Sequence, residues 1–287
     1  METPLFFYKF VSFERKDILE NGLIRFTPAK YFNDPFELTP TITPFSTQFI
    51  EYSSGLNEIE LPRLYFNEED DKYSYYRESQ IEIYRAKFKN EVEKYGILSL
   101  SSNNKINQLL TVSIPEKDDP RTNLLMWSHY ADSHKGFVIE FESDFVEGID
   151  IKHVNYSENR HVLTFEDIEE NRFDSIFFRK SDEWSYEQEY RAVLPLDKAD
   201  KTDDNDVHLF KIKEEKMRGI TFGASMLDEN KLIIMDIIKK NSKYTNVKFN
   251  HARLNDNGYM LDFYYDDGRC TNNPIYGGRR IRTQRKF

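Results

Sequence analysis

Short runs that alternate between apolar and polar residues recur along this chain of 287 residues, and they set the main constraint on its fold. The stretch GFVIEFE places Phe137, Ile139 and Phe141 on one side and Glu140 and Glu142 on the other, which is the period of a half-buried strand. The stretches LIRFTP and YEQEYRAVLPL have the same character. Because strand patterns outnumber helical ones and occur in runs, we expect an α+β fold with a mixed, mostly antiparallel sheet flanked by helices.

Three further segments have patterns typical of helices. A long, charged, amphipathic pattern predicts a helical insertion at about 50–95. A shorter helix is expected at 123–134, with Thr122 or Asn123 as its N-cap. A third helix is expected at 165–180.

Composition and charge exclude several classes of protein. Hydrophobic residues make up 39% of the chain and charged residues 31%, as in ordinary globular proteins. A single cysteine, Cys270, excludes an internal disulfide framework and a cysteine-based zinc site within one chain. The net charge of -10 argues against broad, nonspecific binding to nucleic acid. Without a long apolar run or a signal-peptide pattern, we expect a cytoplasmic protein with no membrane partner.

The sequence contains no internal repeat and no clear linker, so we expect one α+β domain over residues 1–267. Residues 268–287 form a basic C-terminal tail that ends in GGRRIRTQRKF. A solvated terminus is the expected structure for such a tail.

The stretch LLMWSHYADSHKG combines aromatic residues and histidines within a short helix. His129 and His134 are five residues apart, which is not the spacing that places two zinc ligands on one helical face. Trp127 is expected to pack in the core. His129 beside Tyr130, at a helix-to-strand junction, suits hydrogen bonding to a ligand, and it suits a packing histidine equally well.

The stretch WSYEQEYR concentrates charge late in the chain. In an extended conformation, Glu187, Glu189 and Arg191 would share one face of a strand. In a helix, Glu187 and Arg191 would form a routine ion pair one turn apart. The extended arrangement supplies paired carboxylates that can stabilise an oxocarbenium ion or act as a general base.

The stretch YFNDPFE places Asn33, Asp34 and Glu37 in a turn that follows a strand. Binding sites often occupy such loops, although a turn that bonds only itself has the same sequence. No Walker loop, dinucleotide-binding glycine motif, nucleophile elbow or zinc-protease motif is present in the sequence.

Several blocks of the sequence, in this order, resemble the bacterial family known as domain of unknown function 2971. They are FYKF, LIRFTPAKYFNDPFE, LMWSHYADSHKGFVIEFE, VNY, RKSDEWSYEQEYR and ITFG. The resemblance spans roughly residues 5 to 255, and it implies no assigned biochemistry.

A more distant similarity is to ADP-ribosyltransferases, in which an early strand grips NAD, a second strand carries Ser or Tyr, and a late strand carries Glu. This chain has Tyr8 and Lys9 on its first strand, where the family has Arg or His, and ILSLSS in the middle. The resemblance implies a split sheet, with Glu189 stabilising the cationic transition state and Glu187 activating the acceptor. It also implies a set of substrate-binding residues with Tyr130 or Trp184 stacked on nicotinamide: Tyr8, Lys9, Arg25, Asn33, Asp34, Tyr130, Trp184 and Arg191.

We therefore expect an enzyme that uses NAD or a related nucleotide, without a metal, to modify a macromolecule or to cleave the nucleotide. Its catalytic residues would be Glu189, Glu187 and His129, and its role that of a toxin or anti-phage defence effector. One alternative is a metal-dependent nuclease with His129 as base and four carboxylate ligands, Asp34, Glu37, Glu140 and Glu189. Another is a non-catalytic sensor or partner-binding module in which these motifs form the core.

Overall fold

The structure, a computed structural model, describes residues 4–44, 71–103, 119–266 and 279–280. Its strands are β1 (Phe6–Val11), β2 (Leu23–Pro28), β3 (Thr41–Thr43), β4 (Tyr95–Ser101), β5 (Phe137–Glu142), β6 (Ile151–His153), β7 (Asn155–Tyr156), β8 (Val162–Thr164), β9 (Arg179–Lys180), β10 (Glu189–Pro195), β11 (Lys201–Thr202), β12 (His208–Lys211), β13 (Met217–Phe222), β14 (Lys248–Leu254), β15 (Leu261–Asp266) and β16 (Arg279–Arg280). Its α-helices are α1 (Asp17–Asn21), α2 (Asp71–Val92), α3 (Leu124–Tyr130), α4 (Phe165–Glu169) and α5 (Asp228–Lys240).

Twelve strands of the described chain form one connected sheet. Its hydrogen-bonded path runs β11-β12-β2-β4-β1-β5-β13-β14-β15-β16, and β10 pairs with both β4 and β6. The pairs in this sheet are antiparallel except for β13 with β14. Two small parallel pairs, β3 with β8 and β7 with β9, lie outside it. The prediction of an α+β fold with a mostly antiparallel sheet is confirmed.

The sheet opens at β4. One edge of this strand pairs with β10 along its whole length. The other edge is shared, because β2 pairs with it at Gly96 and Ile97 and β1 pairs with it at Ser101. Strands β1 and β2 therefore separate from each other along β4. The split sheet that we expected is a local opening within one connected sheet.

The two faces of the sheet differ in character. Phe7, Leu100 and Tyr190 point to one face, where they join the main hydrophobic core together with residues of α1 and α5. The other face is covered in part by α3, whose buried Trp127 lies edge-on to Phe10 with ring centroids 5.4 Å apart. Trp127 therefore packs in the core, as predicted. The same face of the sheet also carries the polar side chains of the candidate site.

Helix α3 begins as the sequence predicted but ends earlier. The side chain of Asn123 accepts a hydrogen bond from the backbone N–H of Leu125 at 2.9 Å, which confirms it as the N-cap. We expected the helix to continue to residue 134. It ends at Tyr130 because the next turn is left-handed, with positive φ angles at Asp132, Ser133 and His134.

Two other predicted helices need correction. The segment 165–180 is not one helix: α4 stops at Glu169, a 3₁₀ turn covers Asp174–Phe178, and β9 follows. The expected insertion at about 50–95 contains α2, whose residues Tyr84, Phe88 and Val92 pack on a second hydrophobic cluster. Residues 50–70 of that prediction lie outside the described residues, as do Cys270 and most of the basic tail.

None of the helices among the described residues is both long enough and apolar enough to cross a membrane.

Candidate functional site

A row of polar side chains crosses the second face of the sheet. Tyr8 on β1 is the register partner of Ser101 on β4, and Ser101 is the partner of Glu189 on β10. Tyr8 is also the partner of Glu140 on β5. Because side chains of directly opposed residues point to the same face, all four lie in one line on that face. The three strands named in the ADP-ribosyltransferase resemblance are thus adjacent.

Glu189 is buried and is held by two cations. Its Oε1 accepts from Nε of Arg191 at 2.8 Å, and its Oε2 accepts from Nη2 of Arg191 at 2.9 Å and from Nζ of Lys180 at 3.4 Å. Burial alone would raise the pKa of Glu189, but the charges of Arg191 and Lys180 outweigh it and lower the pKa to about 2. Ser99 adds a further hydrogen bond to this carboxylate. Glu189 is therefore ionised at neutral pH.

Glu187 lies beside Glu189, but a turn and not the strand β10 positions it there. The sequence left two conformations open, an extended strand with Glu187 and Glu189 on one face and a helix. Instead a 3₁₀ turn covers Asp182–Glu187, Gln188 has a left-handed conformation with φ 48°, and β10 starts at Glu189. The turn still directs Glu187 to the cluster, where Nζ of Lys180 donates to its Oε2 at 2.7 Å. Tyr130 of α3 donates its hydroxyl to Oε1 of the same carboxylate.

Glu37 is the third buried carboxylate of this cluster. Nη2 of Arg191 donates to its Oε1, while its Oε2 lies 3.8 Å from Nζ of Lys180 and has no hydrogen-bond partner among the described residues. Burial raises the pKa of Glu37, and the charges of Arg191 and Lys180 offset that rise only in part. Among the three carboxylates, Glu37 is the one best suited to accept a proton.

These five side chains form what we call the carboxylate cluster: Glu37, Lys180, Glu187, Glu189 and Arg191. All five residues are buried. With three carboxylates and two cations, the cluster carries excess negative charge when all of its members are ionised. The many charged hydrogen bonds hold its side chains in fixed positions.

A cavity of about 220 Å³ lies over this cluster, in the opening between β1 and β2. Lys9 borders the cavity, and its Nζ donates to the backbone oxygen of Ser99 at 2.8 Å, on the edge of β4 that the opening leaves unpaired. Burial lowers the pKa of Lys9 to about 8. Aromatic residues form another part of the wall: Phe10, Tyr31, Phe32 and Tyr130. The cavity thus joins carboxylates, an amine and aromatic rings, which is the composition of a ligand site.

Of the residues proposed from the sequence, six line this cavity: Tyr8, Lys9, Asn33, Tyr130, Glu187 and Glu189. Arg191 lies beneath it and bonds two of the carboxylates. Trp184 covers Lys180, whose Nζ lies 4.8 Å from its ring centroid, and does not line the cavity.

The structure places three other proposed residues outside the cavity. Nδ1 of His129 is 2.9 Å from the hydroxyl of Tyr186, which also lies outside the cavity lining. Asp34 is buried and accepts a hydrogen bond from the backbone N–H of Phe36, which is the self-bonded turn that the sequence allowed. Arg25 lies on β2 with its guanidinium carbon 5.6 Å from the ring centroid of Tyr31.

The four carboxylates of the nuclease alternative do not assemble. Glu140 belongs to a separate buried group, in which Arg121 donates to it at 3.1 Å and also binds Asp119 through two hydrogen bonds. Glu37 and Glu189 are both bonded to Arg191. Over the described ranges, no group of three or more His, Cys, Asp or Glu side chains is arranged to hold a metal ion.

Sequence reasoning did not single out Lys180, which contacts all three carboxylates of the cluster. It considered Glu37 as part of a candidate binding turn and as a metal ligand, but not as a partner of Arg191. The available signal was position, since Lys180 is the second residue of the block RKSDEWSYEQEYR and Glu37 closes the block FNDPFE. Neither block identifies the carboxylate cluster until the fold brings the two blocks into contact.

A comparison with protein families supports part of the resemblance. Residues 126–192 match the model of a family described as protein of unknown function (DUF2971). No curated protein and no solved structure matched the chain. The matched stretch contains Tyr130, Lys180, Glu187, Glu189 and Arg191, and so includes most of the carboxylate cluster. The wider span that we expected, roughly residues 5 to 255, stays a prediction.

Proposed function

We propose that this protein is a glycosyl-transferring enzyme of the ADP-ribosyltransferase type, which uses NAD or a related nucleotide. The observation that carries the proposal is the row of Tyr8, Ser101 and Glu189 on three adjacent strands beside the cavity. This row has the strand order of the resemblance: an early strand, a serine-bearing strand and a late strand with a glutamate.

The proposed reaction breaks the bond between nicotinamide and C1′ of the adjoining ribose. The electron pair of that bond leaves with nicotinamide, and C1′ acquires oxocarbenium character. A nucleophilic oxygen or nitrogen of the acceptor, or water, then forms the new bond to C1′ and loses its proton. NAD and the acceptor therefore give ADP-ribosylated acceptor, nicotinamide and one proton, with no metal or oxidant required.

The carboxylates have distinct roles in this reaction. Glu189 is kept ionised by Arg191, so it stabilises positive charge on the ribose throughout the reaction. Glu187 is oriented by Tyr130 and positions the acceptor. The proton of the acceptor passes to Glu187 or to the free Oε2 of Glu37, whose raised pKa favours it as a base.

One observation favours a second function, a ligand-binding module without catalysis. Three hydrogen bonds from Arg191 and Lys180, and a fourth from Ser99, occupy the acceptor positions of Glu189. A carboxylate whose acceptor positions are all occupied by hydrogen bonds within the protein can fix the shape of a site without acting on the ligand. The experiment below separates the two functions.

The test is to incubate the purified protein with NAD and to measure released nicotinamide by liquid chromatography. We expect release by the wild type and a reduction of about a hundredfold or more in Glu189→Gln. The matched control is Glu140→Gln, which also neutralises a glutamate bonded to an arginine but is partly exposed and lies outside the cavity. It should retain release.

The proposal fails if the folded wild type releases no nicotinamide, or if Glu189→Gln and Glu140→Gln release it at the same rate. Binding of NAD without release, measured by calorimetry, would instead favour the ligand-binding module.

A further inference from the structure

A second cavity, of about 310 Å³, also borders the carboxylate cluster. Glu37 and Lys180 line both cavities. Three segments build the second one, residues 34–39, 157–161 and 176–181. We call it the arginine pocket, because Arg160 and Arg179 belong to its wall.

Arg179 is held in the wall by neutral acceptors only. Its Nη2 donates to Oγ of Ser157 at 2.9 Å and to the backbone oxygen of Asn159 at 3.3 Å. Its Nε is buried and has no hydrogen-bond partner in the part of the chain that the structure describes. The charge of this guanidinium is therefore balanced by no carboxylate among its hydrogen-bond acceptors, which favours an anion at the donors that face the pocket.

Arg160 is exposed at the rim of the pocket. Its guanidinium carbon lies 5.0 Å from the ring centroid of Phe36, and its Nη2 is 3.4 Å from Oγ1 of Thr39. Neither Arg160 nor Arg179 forms an ion pair with any described residue. Arg172, by contrast, makes three ion pairs nearby on the surface, with Glu166, Asp167 and Glu170. The positive charge of the two arginines in the pocket is therefore not neutralised by an ion pair with any described residue.

Three acidic residues also belong to the wall. Asp34 accepts the backbone N–H of Phe36, and Glu158 is exposed. Glu37 is bonded to Arg191 through one oxygen, while its other oxygen lies 3.8 Å from Nζ of Lys180, a further cation of the wall. Hydroxyl groups of Ser157 and Ser181 complete the wall. Planar guanidinium groups together with hydroxyls are the donors that proteins use to bind phosphate.

We propose that the arginine pocket binds a phosphate group of the ligand whose reacting part occupies the neighbouring cavity, with Arg160 and Arg179 as its main donors. The phosphate has two sources: the diphosphate of the nucleotide, or a phosphate on the acceptor. The choice between them rests on the proposed function, whereas binding of a phosphate in the pocket does not.

The experiment measures binding of inorganic pyrophosphate by calorimetry, with the full chain and without NAD. We expect Arg179→Gln to weaken binding about tenfold or more and Arg160→Gln to weaken it severalfold. Arg179→Lys keeps the positive charge but loses the planar guanidinium group, so its affinity for pyrophosphate should lie between those of the wild type and Arg179→Gln. Arg172→Gln is the matched control and should bind as the wild type does.

Arg160→Gln keeps the test decisive if Arg179→Gln does not fold, because Arg160 is exposed and its hydrogen bond to Thr39 is long. Displacement of pyrophosphate by ADP-ribose would assign the pocket to the nucleotide, and simultaneous binding of both would assign it to an acceptor phosphate. The proposal is overturned if pyrophosphate does not bind, or if it binds equally to the wild type and to both glutamine variants. Neither result depends on whether nicotinamide is released.

Discussion

Replacing Arg191 by methionine removes the cation on which the carboxylate cluster depends most. Arg191 is completely buried and donates to both oxygens of Glu189, to Glu37 and to the backbone oxygen of Phe177. Methionine fills a similar volume but donates no hydrogen bond. Arg191→Met therefore leaves two buried carboxylates with only Lys180 as a cationic partner.

The expected loss of stability follows from this geometry. Breaking a buried ion pair by removing one member costs about 3–5 kcal/mol, because the remaining charge is uncompensated. Lys180 stays at 3.4 Å from Glu189 and compensates in part. We therefore expect the free energy of unfolding at pH 7 to fall by about 4 kcal/mol, out of the roughly 5–15 kcal/mol typical of a domain.

The loss should depend on pH in a defined direction. In the wild type the pKa of Glu189 is lowered from 4.5 to about 2, chiefly because Arg191 and Lys180 outweigh the effect of burial. The folded state then binds fewer protons than the unfolded state between these values, so this stabilisation is complete above pH 4.5 and is lost as the pH falls to about 2. Without Arg191 this contribution is largely absent. The difference in stability between wild type and Arg191→Met should shrink as the pH is lowered from 5 to about 2.

Urea denaturation followed by circular dichroism, at a series of pH values, measures both effects. The control is Arg218→Met, which removes a half-exposed arginine paired with Glu142 and should cost less than about 1 kcal/mol. The reasoning is refuted if Arg191→Met loses less than about 1 kcal/mol at pH 7, or if its difference from the wild type does not change with pH.

Two further predictions concern the frame of the site. A Cβ at Gly136 would lie 2.1 Å from the backbone oxygen of Val11, whereas a Cβ at Gly219 finds its nearest neighbour at 3.5 Å. Gly136→Ala should therefore lower the free energy of unfolding, measured by urea denaturation, by about 1–3 kcal/mol. Gly219→Ala should change it little. Equal losses in the two variants would contradict the close approach of Val11 to Gly136. Because burial lowers the pKa of Lys9 from 10.5 to about 8, the unfolded state binds more protons between these values, and the contribution of Lys9 to the free energy of unfolding should rise with pH across that range. Lys9→Met should lack this rise in urea titrations, and a rise of equal size in the variant would show that Lys9 is not its source.

Local patterns were sufficient to predict most of the strands but not the place where the sheet opens. The alternation in LIRFTP and GFVIEFE reports which side of each strand is buried, and the structure has the expected faces at both. The opening depends on which strands pair with β4, a choice made between segments far apart along the chain, such as Thr27 with Ile97 and Tyr8 with Ser101. Alternation within a strand carries no information on its neighbours.

The candidate site was predictable in part for the same reason. The sequence indicated a site at Glu187, Glu189 and Arg191, because three charged residues in a strand pattern are unusual. The turn that redirects Glu187 was not predictable, since it depends on a left-handed conformation at Gln188, a residue type with no strong preference for it. Lys180 resembles an ordinary surface lysine in the sequence, because its contact with Glu37 comes from a distant segment and its contacts with Glu187 and Glu189 depend on the intervening turn.

Stability alone does not account for the carboxylate cluster. Apolar residues of similar volume can replace a buried ion-pair cluster with little loss of stability, and often with a gain. Three carboxylates with two cations also leave excess negative charge, which a core has no need to retain. The cluster instead borders two cavities, with the free Oε2 of Glu37 beside them and, in the wall of the second cavity, two arginines that form no ion pair with a described residue. A nicotinamide nucleotide has a cationic ring at one end and phosphates further along, and this arrangement of charges is complementary to such a ligand. Because Glu37 and Lys180 line both cavities, we expect occupancy of either one to change the electrostatic potential in the other.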